Sequence, residues 1–188
     1  MNRILSFSAI LISLFILNGC LTSEFKEYKL KINPDKSGTG SFKFINILSH
    51  NYSEEDSIDI DFIELVNDYV DGNKLEEKMP GVKIVTKKLF EENGRLSGLV
   101  EFEFKNIKDL GFHQYDENSP IMYYIDIWSE NYVNSNGEFN PDIMPVVFWN
   151  KDTEEIRLKT TISGEVDTED PSYVSLLDNY KKWVAGSN

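Results

Sequence analysis

The chain has 188 residues, of which 40% are hydrophobic, 13% aromatic and 27% charged, and it contains one cysteine. This composition is typical of a single globular domain and argues against a disordered chain or a disulfide scaffold. The formal net charge of −13 argues against nucleic-acid binding, because the protein would repel phosphate groups.

The N-terminal segment has the pattern of an export signal. Met1-Asn2-Arg3 carries positive charge, and the stretch from Ile4 to Leu17 is apolar apart from three serines. A signal-peptide hydrophobic region has about 7–15 residues, whereas a membrane-spanning helix needs about 20. The segment therefore predicts a signal peptide. An uncleaved anchor and an ordinary secretory signal are the alternatives, although nothing like Ala-x-Ala precedes the cysteine.

The single cysteine follows this stretch in Leu17-Asn18-Gly19-Cys20, which resembles the lipobox of bacterial lipoproteins. The resemblance implies cleavage by signal peptidase II before Cys20 and a diacylglycerol on its thiol, so that acyl chains such as palmitate hold the protein on a membrane. Leu21 stands where an Asp would retain a proteobacterial lipoprotein in the inner membrane. This implies an outer-membrane location in the cell envelope, on either the periplasmic or the surface face.

These features divide the chain into three parts. We expect a signal peptide over 1–19, a lipidated cysteine with a short tether over 20–24, and a single domain over 25–188.

The domain begins with a predicted hairpin. Apolar residues occupy every second position from Tyr28 to Ile32, which is typical of a strand with one wet face. Turn residues fill Asn33–Gly38, and a second strand continues through Phe42 and Phe44. A helix is then predicted from a capping box, Asp61-Phe62-Ile63-Glu64, to Gly72 at the C′ position.

The clearest hairpin comes next. Strands are predicted over 82–90 and 96–104, joined by a turn that contains Asn93-Gly94, a strong hairpin signal. One helical turn is predicted from Asn106 to Gly111.

The second half is predicted to alternate strands and loops before a final helix. Strands are expected over 123–128, 146–149 and 155–162, and a loop over 130–141, which is rich in Asn. The last helix is predicted to start at Asp170-Pro171, with Pro171 at N1. Its apolar stripe consists of Tyr173, Leu176, Leu177, Tyr180, Trp183 and Val184.

Hairpins with few crossover helices predict an α+β fold. We expect a mainly antiparallel sheet of about six or seven strands with two helices packed on it. The order hairpin, helix, hairpin, short helix, with the turn Asp35–Gly40 and the strand that ends at Phe104, resembles the LppM-type bacterial lipoprotein domain over residues 25–110.

The sequence contains no recognisable catalytic constellation. The histidines His50 and His113 are isolated, and no Gly-x-Ser-x-Gly or phosphate loop occurs, so no catalytic residue, cofactor or metal site is predicted. An acidic cluster over 54–61 offers oxygen ligands to calcium, but it lacks EF-hand spacing. A solvated acidic loop near a helix N-terminus is the favoured interpretation.

Aromatic residues are concentrated in the second half of the domain. Most such rings belong to cores. Tyr124, Trp128, Trp149 and Trp183 are nevertheless candidates for a groove that binds a sugar, a peptide or a lipid chain.

The leading hypothesis is a non-enzymatic, lipid-anchored envelope protein that acts as a binding or assembly module. Its partners would be the membrane, through lipid on Cys20, and another envelope protein. Two alternatives are a carrier of a lipophilic or other small ligand, held between the sheet and the last helix, and a hydrolase that uses an acidic pair.

Overall fold

A computed structural model describes residues 21–50, 58–142, 144–162, 166 and 170–186. Within these residues the fold is α+β, as predicted: a seven-stranded antiparallel sheet, a second sheet of three strands, and three helices. No helix of the described residues is long and apolar enough to cross a bilayer.

The elements follow one another along the chain with short connections. The strands are β1 (Leu21–Ile32), β2 (Gly38–His50), β3 (Val82–Glu92), β4 (Arg95–Phe104), β5 (Ile121–Tyr124), β6 (Glu130–Ser135), β7 (Glu138–Asn140), β8 (Val146–Trp149), β9 (Glu155–Ile162) and β10 (Tyr173–Ser175). The helices are α1 (Ile58–Glu64), which continues into a π-helical turn (Leu65–Val70), α2 (Lys74–Lys78) and α3 (Leu177–Gly186). A 3₁₀ turn covers Ile107–Leu110.

The main sheet has the strand order β3-β4-β2-β1-β9-β6, and the second sheet has the order β5-β8-β7. The two hairpins β1-β2 and β3-β4 therefore lie side by side, joined through β2 and β4. β10 pairs with β2 at residues 48–50, beyond Ile45, the last β2 residue that β4 covers. It thus covers a length of β2 edge that would otherwise present unpaired backbone groups.

One face of the main sheet carries the core. Tyr28, Leu30 and Ile32 are buried on that face, whereas Lys29 and Lys31 point to solvent. Tyr28 lies opposite Phe42 in β2, and their rings meet edge to face with centroids 5.1 Å apart. Burial of each such side chain contributes about 1.5–3 kcal/mol. The helices cover part of this face through a buried stripe of Phe62, Leu65, Val66 and Tyr69.

The predicted hairpin turn at Asn93-Gly94 is confirmed. Both residues have positive φ, 53° and 72°, which the tight two-residue turn between right-twisted strands requires. The predicted helical turn after Asn106 is also present, with the Asn106 side chain accepting a hydrogen bond from Lys108 N–H and Gly111 at φ 80°.

The predicted tether over 20–24 is wrong from Leu21 onward. Leu21 pairs with Ser49 of β2 and is 3% exposed, and Ser23 is also buried. The sheet register extends β1 by four residues because β2 is long enough to hydrogen-bond with them. No flexible linker therefore separates Leu21 from the folded domain.

Two helix starts also differ from prediction. The first helix extends upstream to Ile58, so Asp61 lies inside it, buried, and accepts a hydrogen bond from the Ser49 hydroxyl. Asp170 and Pro171 form a turn in which the Asp170 carboxylate accepts Ser172 N–H, and α3 begins only at Leu177. The intervening residues form β10, because backbone pairing with β2 outweighs the local helix signal.

The predicted strand over 123–128 ends at Tyr124, and the predicted loop over 130–141 contains β6 and β7. β6 forms because β9 offers it a partner edge, so pairing overrides the weak strand propensity of its asparagines. Gly137 turns the chain between β6 and β7, where an added Cβ would lie 2.5 Å from the Phe148 carbonyl oxygen.

Candidate functional site: a clamped aromatic turn at the N-terminal end of the sheet

Two strands of the main sheet begin at the same end. β9 runs antiparallel to both β1 and β6, so β1 and β6 run in the same direction. Thr161 of β9 pairs with Phe25, and the next residue, Ile162, pairs with Glu130, the first residue of β6. With one strand between them, β1 and β6 are about 10 Å apart. The residues that precede β6 therefore lie toward the end of the sheet at which β1 begins with Leu21.

The connection from β5 to β6 is a tight turn, which we call the aromatic turn (residues 124–129). Ile125 N–H donates to the Pro145 carbonyl at 2.7 Å, and Glu130 N–H donates to the Asp126 carbonyl at 2.7 Å. The Asp126 carboxylate accepts hydrogen bonds from Trp128 N–H and the Ser129 hydroxyl, each at 3.1 Å. The backbone is thus held locally, and both carboxylate oxygens of Asp126 accept hydrogen bonds from within the turn.

Large apolar side chains of this turn face solvent. Trp128 is 87% exposed, Ile127 50% and Tyr124 47%. Met144, next to the Pro145 that anchors the turn, is also exposed. Single exposed apolar residues are ordinary, but several on one ordered turn are typical of an interaction surface. Trp and Tyr in addition combine an apolar ring with a polar group, which suits the boundary between water and an apolar phase.

A buried polar network, the clamp (Lys26, Tyr28, Tyr123 and Glu130), fastens both ends of the turn to β1. Glu130 follows the turn, and its Oε1 accepts hydrogen bonds from Lys26 Nζ at 3.0 Å and the Tyr28 hydroxyl at 2.6 Å. Tyr123 precedes the turn, and its hydroxyl lies 3.2 Å from that of Tyr28. Lys26 and Glu130 are buried. The aromatic turn is therefore fixed relative to the strand that Cys20 leads into.

Burial governs the electrostatics of the clamp. Desolvation lowers the pKa of Lys26, against the opposing attraction of Glu130. Desolvation also raises the pKa of Tyr28 and of Tyr123 well above the usual range, and the Glu130 charge raises both further. Both hydroxyls therefore remain protonated near neutral pH and can donate hydrogen bonds. Nζ of Lys26 also lies 4.6 Å from the Tyr28 ring centroid, which adds a cation–π contact.

The four residues predicted to line a ligand groove do not form one groove. Tyr124 and Trp128 belong to the aromatic turn, but Trp149 is buried, with its indole N–H donating to Asn136 Oδ1 at 2.8 Å. Trp183 lies on α3 and packs against Phe62 of α1. Two of the four are thus surface residues at one site, one is a core residue, and one belongs to a helix contact.

A small apolar cavity lies elsewhere, between the helices and the outer strands of the main sheet. Its volume is about 40 Å³, which matches a few water-sized spheres and not an acyl chain. Its described lining includes no carboxylate and none of the four predicted groove residues. The lining consists of Phe44, Ile47, Leu65, Tyr69, Val70, Leu75, Lys87, Lys88, Leu89, Gly98, Leu99 and Val100.

The acidic cluster is described only in part. Glu54, Glu55 and Asp56 lie outside the described residues, as does the lipobox with Cys20. Asp59 accepts a hydrogen bond from the Asn179 amide at 2.6 Å, and Asp61 is bound to Ser49. Within the described part of the chain, no group of three or more His, Cys, Asp or Glu side chains could hold a metal ion.

Sequence reasoning missed the clamp. A signal was present, because Lys26 lies in phase with Tyr28, Leu30 and Ile32 and therefore on the buried face of β1. A charged residue at such a position needs a buried partner. Its partner, Glu130, lies 104 residues away in a segment predicted to be a loop.

No family model, curated protein or solved structure matches the chain. The resemblances to a lipobox and to the LppM-type domain therefore stay predictions.

Proposed function

We propose that the protein is a lipid-anchored component of a bacterial cell envelope and acts there as a non-enzymatic binding or assembly module. The observation that carries the proposal is the position of Cys20, directly before an ordered and buried strand. Cleavage before this residue would remove the apolar leader and leave β1 complete.

The packing of Leu21 supports a processing boundary at this point. Leu21 and Ser23 are buried and paired with β2, so the domain begins one residue after the proposed lipid attachment site. Acylation at Cys20 would bring the domain directly to the membrane surface. Stable anchoring requires about two lipid chains, which a diacylglyceryl cysteine supplies.

The test is the mass of the protein purified from membranes of its native host. We expect the N-terminus at Cys20 with a diacylglyceryl addition, and accumulation of the precursor when signal peptidase II is inhibited. Cys20→Ala should abolish the lipid and release the protein from the membrane fraction. Asn18→Ala, which leaves the cysteine intact, is the matched control and should be processed normally. A mature protein with an unmodified Cys20 would overturn the proposal.

No specific observation favours either alternative function, the ligand carrier or the hydrolase. The cavity is too small for a lipid chain, and its described lining offers no acidic pair for hydrolysis. The carrier and the hydrolase therefore stay predictions, whereas the exposed aromatic turn favours an interaction surface.

A further inference from the structure

We infer that the aromatic turn enters the headgroup region of the same membrane that holds Cys20, as a second, non-covalent contact that sets the orientation of the domain. This inference rests on the proposed lipidation of Cys20. The main sheet would then stand with its N-terminal end on the bilayer and its β1–β2 turn directed away from it.

The domain has little freedom to move relative to its lipid anchor. Consecutive Cα atoms are about 3.8 Å apart, so a lipidated Cys20 lies within one residue of Leu21, which is fixed in the sheet. The first strand of the sheet is therefore held at the membrane surface. β6 begins toward the same end, about 10 Å away across β9 and about three residues, or about 10 Å, along β1 from the level of Leu21. Glu130 thus lies about 14 Å from Leu21, and the exposed rings of the turn before it are within reach of the lipid headgroups.

The side chains of the turn suit that position. Trp and Tyr concentrate at membrane–water interfaces, where their rings sit at the level of the headgroups. Trp128 and Tyr124 present such rings, and Ile127 adds an aliphatic group. Both neighbouring carboxylates are already engaged within the protein: Asp126 caps the turn, and Glu130 Oε1 is bound to Lys26 and Tyr28, although Glu130 Oε2 is buried without a hydrogen-bond partner among the described residues. At headgroup depth the Asp126 carboxylate stays in contact with water, so the exposed rings can enter the interface without carrying that charge into hydrocarbon.

The clamp reduces the conformational entropy that the turn would lose on insertion. Tyr123 and Glu130 hold both ends of the turn to Tyr28, so the rings are presented in an ordered backbone before they meet lipid. Less ordering cost then opposes insertion than for a flexible loop.

A membrane is favoured over a protein as the occupant because the anchor is covalent and adjacent. A protein partner would have to displace lipid from a surface that the anchor already holds at the bilayer.

The test uses the lipidated full-length mature protein in phosphatidylcholine vesicles that contain lipid brominated near the headgroup end of the acyl chain. Bromine quenches only tryptophans that reach this depth. We expect quenching of wild-type fluorescence, its loss in Trp128→Phe, and its retention in Trp183→Phe. Trp183→Phe is the matched control, because its ring packs on Phe62 and not in the turn.

The outcomes separate the two proposals. A mass spectrum without lipid on Cys20 would overturn the proposed function and this inference with it. Lipid on Cys20 together with equal quenching in wild type and Trp128→Phe would overturn this inference alone. Protection of Trp128 from an aqueous quencher in native envelopes but not in vesicles would also overturn it, and would identify a protein as the occupant.

Discussion

The ion pair between Lys26 and Glu130 is the residue pair on which the clamp depends. Glu130→Gln would leave a buried ammonium group without a counter-charge, and breaking such a pair costs about 3–5 kcal/mol. We expect a loss of this size in the free energy of unfolding, measured by urea denaturation. The matched control is Glu103→Gln, whose partner Lys83 is mostly exposed, and it should cost no more than about 0.5 kcal/mol.

The same pair allows a stricter test. Replacing both partners, as in Lys26→Met with Glu130→Leu, removes both buried charges and should cost less than Glu130→Gln alone. The remaining loss, about 1–3 kcal/mol at most, comes from the Tyr28 hydroxyl, which loses its acceptor on Glu130. If Glu130→Gln alone proved as harmless as the Glu103 variant, the pair would not be buried in the way described.

The two tyrosines of the clamp predict a loss of stability in alkali. Their native pKa values are raised above the value of about 10 that applies in an unfolded chain. The unfolded state therefore loses these protons first, so the stabilisation is complete below pH ~10 and falls as the pH rises above it. The lowered pKa of Lys26 acts in the opposite direction, but only up to its usual value of 10.5.

Urea denaturation between about pH 10.5 and 12 measures this effect. Tyr123→Phe should reduce the slope of the free energy of unfolding against pH by up to about 1.4 kcal/mol per pH unit. Tyr115→Phe, at a ring that is 88% exposed, is the control and should leave the slope unchanged. Identical slopes in the wild type and the Tyr123 variant would contradict the raised pKa.

At the scale of elements, the β3–β4 turn depends on the conformation of one glycine. Gly94 has φ 72° and open space where a Cβ would project, so Gly94→Ala should cost about 1–2 kcal/mol through backbone strain alone. Gly186, at the end of α3, also has open space but lacks positive φ. Gly186→Ala should therefore be neutral or slightly stabilising. Thermal or urea denaturation of the two variants distinguishes strain from a general effect of the added methyl group.

That turn also shows which elements the sequence can predict. Asn93-Gly94 encodes its own conformation, and the alternation of apolar residues identifies the buried side of β4, so this hairpin follows from local information. β6 and β10 do not, because each forms by pairing with a strand that is distant in the sequence. The helix signal at Pro171 was outweighed in this way by an open edge on β2.

The candidate site was predictable to a similar extent. The aromatic content of the second half identified Tyr124 and Trp128 as candidates. The sequence alone, however, does not distinguish an aromatic residue in a core from one on a surface. Only the tertiary structure separates the exposed Trp128 from the buried Trp149. The position of the turn beside β1 depends on strand order, which the local pattern does not contain.

At the scale of the whole molecule, the acidic character of the chain bears on the choice of membrane. A formal charge of −13 disfavours approach to anionic lipid. We expect bromolipid quenching of Trp128 to weaken when anionic lipid is added at low salt and to recover as salt shortens the screening length from about 30 Å at 0.01 M to 10 Å at 0.1 M. Quenching that increased with anionic lipid would indicate instead that basic residues dominate the contact.

The absence of a linker at Leu21 predicts a defined orientation of the lipidated domain. Ten residues separate Leu21 from Lys31, so Lys31 should stand about 34 Å from the membrane-facing end. Asn131, which lies level with Phe25 across β9, should stand only about 14 Å from that end. Because acylation leaves no free thiol, a dye can be attached at Lys31→Cys or Asn131→Cys. We expect energy transfer to an acceptor lipid to be stronger from position 131.

Inserting ten Gly and Ser residues between Cys20 and Leu21 is the control for this orientation. Such a linker has a reach of about 17 Å, so the two dye positions should become more alike while lipidation and stability stay unchanged. If the two positions already gave equal transfer without the linker, the sheet would lie flat on the bilayer. Its N-terminal end would then not be the membrane contact, and the aromatic turn would be available to another partner.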